Sequence, residues 1–524
     1  MNSVCRRKLW PSLLLLAGVM LFARGGPADA AEKAAAKLDS AALARLIDQH
    51  IGQRLTQEQV TRAPLADDAE FLRRVYLDLV GVIPPADKAA AFLDSTDPAK
   101  RARLIDELLA SPQYGRHLAD IWEELLLERD SSNRRLQMEP LPTWLAKQFN
   151  ANRPWDQIVH ELLTVTGTQE QNGANTFFIA NRTPDKLTDI VARVFAGVQL
   201  QCAQCHNHPW ASWKRADYWG MAQFFTKVRA GGKKVGKGDP EVVNEIGVGK
   251  GLPLPESALK VPPKFLGGAE PRIDANRPYR PVLAQWLTSP DNPYFARAMV
   301  NRTWAQLFGR GLVHPVDDIH DQNPASHPEL FAALAREFAA SGFDLKHLIR
   351  GICNSETYQR ASDGKSKTAG GSPLFNHMTV KPLTPQQLHD SLKVVLGSGE
   401  ESRRTKAGKK ALVPGTRAEF IAFFRAAEGA DPTEYPAGIP QVLRLMNSSV
   451  LNDGTALLNK VVRPGRSPVQ TIERLYLTTL SRRPTAAESQ RLVTFVQDAG
   501  SATRQAYADV LWVLLNSSEF SLNH

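Results

Sequence analysis

Arg74-Val75-Tyr76-Leu77-Asp78-Leu79-Val80, then Gly81 to Pro84 and the alanine-rich run Ala86 to Leu93, is the stretch on which the fold turns. Near the C-terminus Arg474-Leu475-Tyr476-Leu477-Thr478-Thr479-Leu480 is followed by Ser481 to Pro484 and then Ala486 to Val493. The same helix, proline-containing turn and second helix thus appear twice. Each copy runs on to a helix that closes on a Ser-x-x-aromatic step, Ser111 to Tyr114 in the first and Ser517 to Phe520 in the second, and a third step ends at Tyr358. Ser and Asn side chains compete for backbone hydrogen bonds, which suits a helix terminus. The pattern predicts a duplicated helical hairpin, against the alternative of chance likeness between amphipathic helices.

Working outward, apolar residues recur at three- and four-residue spacing over Ala41 to Ile51, Phe71 to Val80, Arg101 to Ala110, Leu187 to Leu200, Pro328 to Ala340 and Ala502 to Leu515. The fold class expected is mainly α. A chain of 524 residues exceeds what one hydrophobic core commonly serves. Two helical domains are therefore expected, at 31–226 and 282–524. Between them, 227–281 is rich in Gly, Pro and Lys, with a β-compatible stretch at Glu241 to Val248, and reads as a linker or small β insertion. Asp363 to Ser372 and Gly397 to Gly415 read as loops.

The first thirty residues read as an export signal. Arg6, Arg7 and Lys8 precede the apolar run Leu13 to Phe22, and Ala28-Asp29-Ala30 supplies small residues for cleavage near Ala30. The run is short of the roughly 20 residues a spanning helix needs, so no stable membrane span is expected, and the location is periplasmic or secreted. Without residues 1–30, Lys and Arg number 60 against 53 Asp and Glu, a net charge of +7. The Lys excess collects in Gly-rich segments such as Gly231 to Lys237 and Arg403 to Lys410 and reads as solvated loop. No nucleic-acid motif accompanies it, so a DNA or RNA partner is not expected. An anionic polysaccharide remains an alternative partner.

Four cysteines are present, and Cys5 leaves with the signal. Cys353 lies in an apolar helical pattern and reads as a small core residue. Cys202-Ala203-Gln204-Cys205-His206 is the chemical motif. Covalent haem attachment needs two thiols spaced for two vinyl groups and a neighbouring imidazole for iron, and Cys202, Cys205 and His206 are that set. Trp210, Trp213, Tyr218, Trp219, Phe224 and Phe225 follow within sixteen residues and could wall a flat cofactor or form ordinary core. Two alternatives stand beside haem c. One is zinc held by Cys202, Cys205, His206 and His208; the other is a Cys202–Cys205 disulfide. Either would suit a helical binding or assembly protein. His208 is tethered to the same haem face as His206, so the opposite axial position falls to His314, His320, His327, Met221, Met299 or Met378. An open position favours small-ligand chemistry and a filled one electron transfer.

A second polar constellation, Asp317 and Asp318 with His314 and His320, could bind a divalent ion or serve acid–base chemistry in a hydrolase. A solvated loop with helix-capping Asp is the plainer reading. The functional expectation is an exported mono-haem c-type protein that relays electrons to a redox partner or envelope protein, or serves an oxidative step tied to polysaccharide use.

Phe71 to Pro85, Ser111 to Tyr114 and Gln201 to Phe225 resemble the planctomycete cytochrome C type domain of unknown function. The sharpest part is Cys-Ala-Gln-Cys-His-Asn-His-Pro-Trp at Cys202 to Trp210, with Trp213, Tyr218 and Trp219. Asn292 to Trp304, Gly309 to Asp318, Ser326 to Leu330 and Asn516 to Phe520 resemble its companion, the planctomycete cytochrome-associated domain. The resemblance implies an exported protein, often one behind a separate cytochrome c module. Ala31 to Arg62 holds no Cys, so Cys202 to His206 is the single haem motif expected.

Overall fold

Helices make nearly all of the regular structure in the computed structural model, which describes residues 37–127, 136–231, 241–245, 254–258, 260–362, 372–396, 416–424 and 455–524. The export signal with its cleavage point, the lysine runs at 233–237 and 403–410, and the loops at 363–371 and 397–415 lie outside the described residues. First come α1 (Ser40–Gln57), α2 (Asp68–Val80), α3 (Ala86–Asp94), α4 (Lys100–Ala110), α5 (Pro112–Leu126), α6 (Pro140–Asn150), α7 (Trp155–Thr164), α8 (Asn175–Ala180), α9 (Pro184–Ala196) and α10 (Arg215–Gln223). Then follow α11 (Arg280–Leu287), α12 (Phe295–Phe308), α13 (Pro328–Ala340), α14 (Leu345–Asn354), α15 (Glu356–Gln359), α16 (Pro385–Leu396) and α17 (Arg417–Phe424). The last are α18 (Thr455–Val461), α19 (Pro468–Thr479), α20 (Ala486–Asp498), α21 (Thr503–Leu515) and α22 (Ser518–Ser521). Among the described residues no helix is long and apolar enough to cross a membrane.

The β-compatible stretch forms a strand, Val242–Glu245 (β3), between β1 (Gly167–Thr168) and β2 (Val228–Ala230), antiparallel to both. β3 ends on Glu245, whose carboxylate pairs with the fully buried Arg280 at 2.9 Å. Arg280 also donates to the carbonyls of Leu163 and Val165 and lies over the Phe178 ring. The start of α11 is thereby tied to α7 and the small sheet. A buried ion pair of this kind costs about 3–5 kcal/mol when one partner is removed, because the other charge stays behind unpaired.

α2 is the spine of the molecule. Asp67 caps it by accepting from Glu70 N–H, and every residue from Phe71 to Val80 is buried, including Arg73, Arg74 and Asp78. Phe71, Leu72, Val75, Tyr76 and Leu79 enter a large core that runs from Leu43 on α1 to Met378 and takes in Leu477. Leu77 and Ile83 enter a second core, built by α16 to α22. Residues 37–524 form one compact unit, and side chains from both sides of the 227–281 insertion fill the first core.

Charges inside that spine are satisfied by the Ser-x-x-aromatic corners. Ser111, Ser355 and Ser517 are extended (φ −68°, −71° and −73°), and their hydroxyls accept from Gln113, Tyr358 and Phe520 N–H. Arg73 donates to the carbonyls of Phe520 and Thr479 at 2.7 and 3.1 Å. Arg74 donates to those of Tyr358 and Arg360 at 2.8 and 2.9 Å. Adjacent arginines thus each clamp one corner, and each lies over that corner's aromatic ring. Asp78, one turn on, accepts from Tyr358 Oη, Lys381 Nζ and Asn523 Nδ2.

Candidate functional site

The Cys202 loop is built on the end of α9. Pro184 opens that helix, and Leu187, Val191, Val194 and Phe195 bury its apolar stripe. It stops at Ala196, four residues before the end expected from periodicity, because Gly197 turns left-handed at φ 68°. At Gly197 a Cβ would come within 2.7 Å of Ile319 Cδ1, and the Gly197 carbonyl accepts from Ile319 N–H at 2.9 Å. The glycine therefore ends α9 and seats the Asp317–His320 loop against it. Two constellations more than a hundred residues apart meet at one helix end.

Val198 and Leu200 are buried and anchor the next step, a 3-10 turn over Gln201–Gln204. Ala203 points inward, while Cys202, Cys205 and His206 face solvent and both thiols are free. The turn is braced from α10: the Gln204 carbonyl accepts from Trp219 Nε1 at 3.0 Å, and Asn207 Oδ1 accepts from Arg215 N–H at 3.1 Å. His208 N–H donates to the Trp213 carbonyl at 2.8 Å. Of the six neighbouring aromatics, Tyr218, Trp219, Phe224 and Phe225 are core, whereas Trp210 is 76% exposed.

Hydrogen bonds fix which nitrogen of each imidazole carries the proton. His206 Nδ1 lies 2.7 Å from the Asn207 carbonyl. A carbonyl only accepts, so Nδ1–H donates, and in the neutral ring the lone pair is on Nε2. His208 is the reverse. Its Nδ1 accepts from Ala211 and Trp210 N–H at 2.9 and 3.3 Å, which leaves the proton on Nε2. Partial desolvation holds the His208 pKa below the usual histidine range; His320 and His206 add to this, against an upward pull from Asp318.

His320 packs its ring 6.5 Å from that of His208, tilted by 54°. Its Nδ1 accepts from Gln322 N–H at 3.1 Å and its Nε2 sits 3.4 Å from Asp318 Oδ1. Asp317 faces elsewhere, paired with Arg302 and, at 3.4 Å, with Arg193. It is a structural anchor between α9 and α12. Fully buried Asn301 holds the turn before it, donating to the Val313 and Val316 carbonyls at 2.8 and 2.9 Å. Gly197 and Asn301 carried no site signal in the sequence, since their roles are contacts across the fold.

The other expected site residues scatter. Met221, Met299 and Met378 are core, and His327 is buried against Phe375. Among the described residues no group of three or more His, Cys, Asp and Glu side chains is gathered to hold a metal ion. The four-ligand zinc set is thus not assembled, and the Nε2–H of His208 offers no lone pair to one. For haem the donor chemistry fits: two free exposed thiols and an imidazole whose Nδ1–H is the donor, so that Nε2 is the ligating nitrogen of the neutral ring. Elsewhere, burial first, with Asp120 and Glu139 adding to it, pushes the Glu123 carboxyl up to about 7. This stands beside an Arg417 bridge between Asp120 and Asp390.

Residues 46–230 match the family model described as PSCyt2, a protein of unknown function (DUF1549), and residues 279–414 match PSD1, a protein of unknown function (DUF1553). The Cys202 loop lies in the first match and Asp318 and His320 in the second, so the His208–His320 ring contact joins the two. No curated protein and no solved structure matches the chain.

Proposed function

We propose that this chain, which belongs to the planctomycete cytochrome-type proteins pairing the PSCyt2 and PSD1 domains, is an exported mono-haem c-type protein. Cys202 and Cys205 would hold the porphyrin through thioether bonds, and His206 would ligate iron through Nε2. The observation that carries this reading is the His206 tautomer. Nδ1–H is committed to the Asn207 carbonyl at 2.7 Å, which orients the ring and leaves the ligating nitrogen basic. That is the outer hydrogen bond an axial histidine needs. When bound, haem supplies one-electron chemistry at iron.

The chain's own residues present and brace this loop. In the folded chain, buried Leu200 and Ala203 and the Trp219 bond to Gln204 hold the turn that carries the two thiols. Exposure of Cys202, Cys205 and His206 in the fold leaves the site reachable by a redox partner. The charge and spacing of residues 1–30 support export by the general secretory route, which delivers an unfolded chain.

Expression with a cytochrome c maturation system tests the proposal. The intact mass should exceed that of the polypeptide by one covalent haem, with a pyridine haemochrome spectrum to match. Cys202→Ser with Cys205→Ser should abolish both. A processed protein of bare polypeptide mass from a competent host sinks the reading. Stoichiometric zinc lost in Cys202→Ser would replace it with the binding-protein alternative.

A further inference from the structure

We infer that the half carrying the PSCyt2 match (37–270) and the half carrying the PSD1 match (271–524) are not separable modules. Each is the obligate partner of the other, and the surface between them holds whether or not the chain is continuous through 227–281. The family matches leave off at 230 and resume at 279, but the buried charges do not respect that division. On α2 of the first half, Arg73 donates to the carbonyls of Thr479 and Phe520, and Arg74 to those of Tyr358 and Arg360. Asp78 accepts from Tyr358, Lys381 and Asn523. All of these partners lie in the second half. The dependence also runs the other way. Arg280 of the second half is fully buried against Glu245 and the Leu163 and Val165 carbonyls of the first.

A second strip of the same seam joins α1 to α14 and α15. Asp48 on α1 accepts from Glu356 and Thr357 N–H at 2.9 and 2.8 Å and from Thr357 Oγ1 at 2.7 Å. A carboxylate of one half thus serves the first turn of a helix in the other. α1 and α14 cross so closely that a Cβ at Gly351 would lie 2.4 Å from Leu43 Cδ2. Leu43, Ile47 and Phe71 of the first half share one core with Trp304, Leu348 and Ile352 of the second. Domains that act as separate modules meet over modest, largely polar surfaces. Here withdrawal of either half would take the partners from Arg73, Arg74, Asp78 and Arg280 and open a continuous apolar core to water. Neither half closes a core of its own. The connection carries little by comparison: Glu270 is exposed, and no regular structure spans 269–274.

The test keeps the whole protein. A protease recognition sequence inserted between Glu270 and Pro271 allows the chain to be cut after it has folded. The two pieces should co-elute in gel filtration at the mass of the uncut protein. Cut protein should unfold in one urea transition whose midpoint rises with protein concentration, as required of halves that are folded only together. Pieces that separate in buffer, or a midpoint that does not move with concentration, overturn the inference. Should the insertion itself prevent folding, native-state hydrogen exchange on the unaltered chain decides. The slowest amides of α2 and of α14 should open with one common free energy at every urea concentration. Distinct opening energies for the two helices, each with its own dependence on urea, overturn the inference as well. Neither measurement reads haem, so failure here leaves the attachment reading standing, and failure of attachment leaves this seam intact.

Discussion

The two helical hairpins, α2–α3 and α19–α20, share a sequence pattern but not an environment. Equivalent residues lie 400 positions apart, and the correspondence extends to the turn: Gly81 is left-handed at φ 72°, and Ser481 takes the same conformation at φ 63°. Leu77 of the first copy packs into the C-terminal core, and Leu477 of the second packs into the main core. The hairpins therefore exchange a leucine, and α19 lies against α3 with Arg474 on Asp87 and Arg483 on Asp94. Yet α2 is buried without a break from Phe71 to Val80, while its counterpart α19 leaves Glu473 and Arg474 part-exposed; of the second helices, α3 buries Ala86, Ala89 and Phe92 and α20 only Val496. The lesson is that a repeated pattern specifies a shape, and its neighbours assign what each residue does.

Arg74 and Arg474 offer the sharpest way to break that comparison. Arg74 is buried, bonded to two carbonyls and to Glu70 at 2.5 Å. Arg74→Ala should cost about 3–5 kcal/mol, because three acceptors lose a charged donor inside the core. Arg474→Ala should cost less than about 1 kcal/mol, since its partner Asp87 is 86% exposed. Equal shifts in urea midpoint for the two variants would refute the assignment of α2 as the spine.

The turns come next. A Cβ at Gly81 would lie 2.5 Å from His117 Nδ1 in addition to meeting the left-handed backbone. Gly81→Ala should cost about 3 kcal/mol from the conformation and the overlap together. Ser481→Gly should do the opposite and add roughly 0.5–1 kcal/mol, as the strained φ is relieved against a more flexible unfolded chain. A loss of thermal stability in Ser481→Gly would mean that the hydroxyl, which has no hydrogen-bond partner among the described residues, matters in a way the turn geometry does not.

The smallest effect separates the second helices. α3 starts at Pro85 with no side-chain cap, whereas Thr485 and Glu488 form a capping box on α20. Arg482, then the Thr485 bonds, hold the Glu488 carboxyl at about 2. A carboxylate lowered on folding stabilises above its unfolded value and loses that contribution as pH falls. The second hairpin should therefore weaken between about pH 4.5 and 2, and Glu488→Gln should remove that part of the acid dependence. An unchanged acid titration in Glu488→Gln would discard the box as a stabilising feature.

Read from residues alone, the chain declares a mainly helical fold, the paired hairpins, the strand within 241–248 and the family resemblance. These follow from periodicity, turn chemistry and local motif, which act over a few residues. Asp317 and Asp318 look interchangeable in sequence, as do His206 and His208. Tertiary structure divides them. Asp317 is taken by two arginines and Asp318 by His320; His206 donates through Nδ1 and His208 accepts there. Which helix becomes the spine, and which histidine keeps a lone pair, depend on partners brought together by the folded core. A hydrogen bond or a buried charge takes its meaning from a neighbour that can be hundreds of residues away, and no local pattern encodes that neighbour.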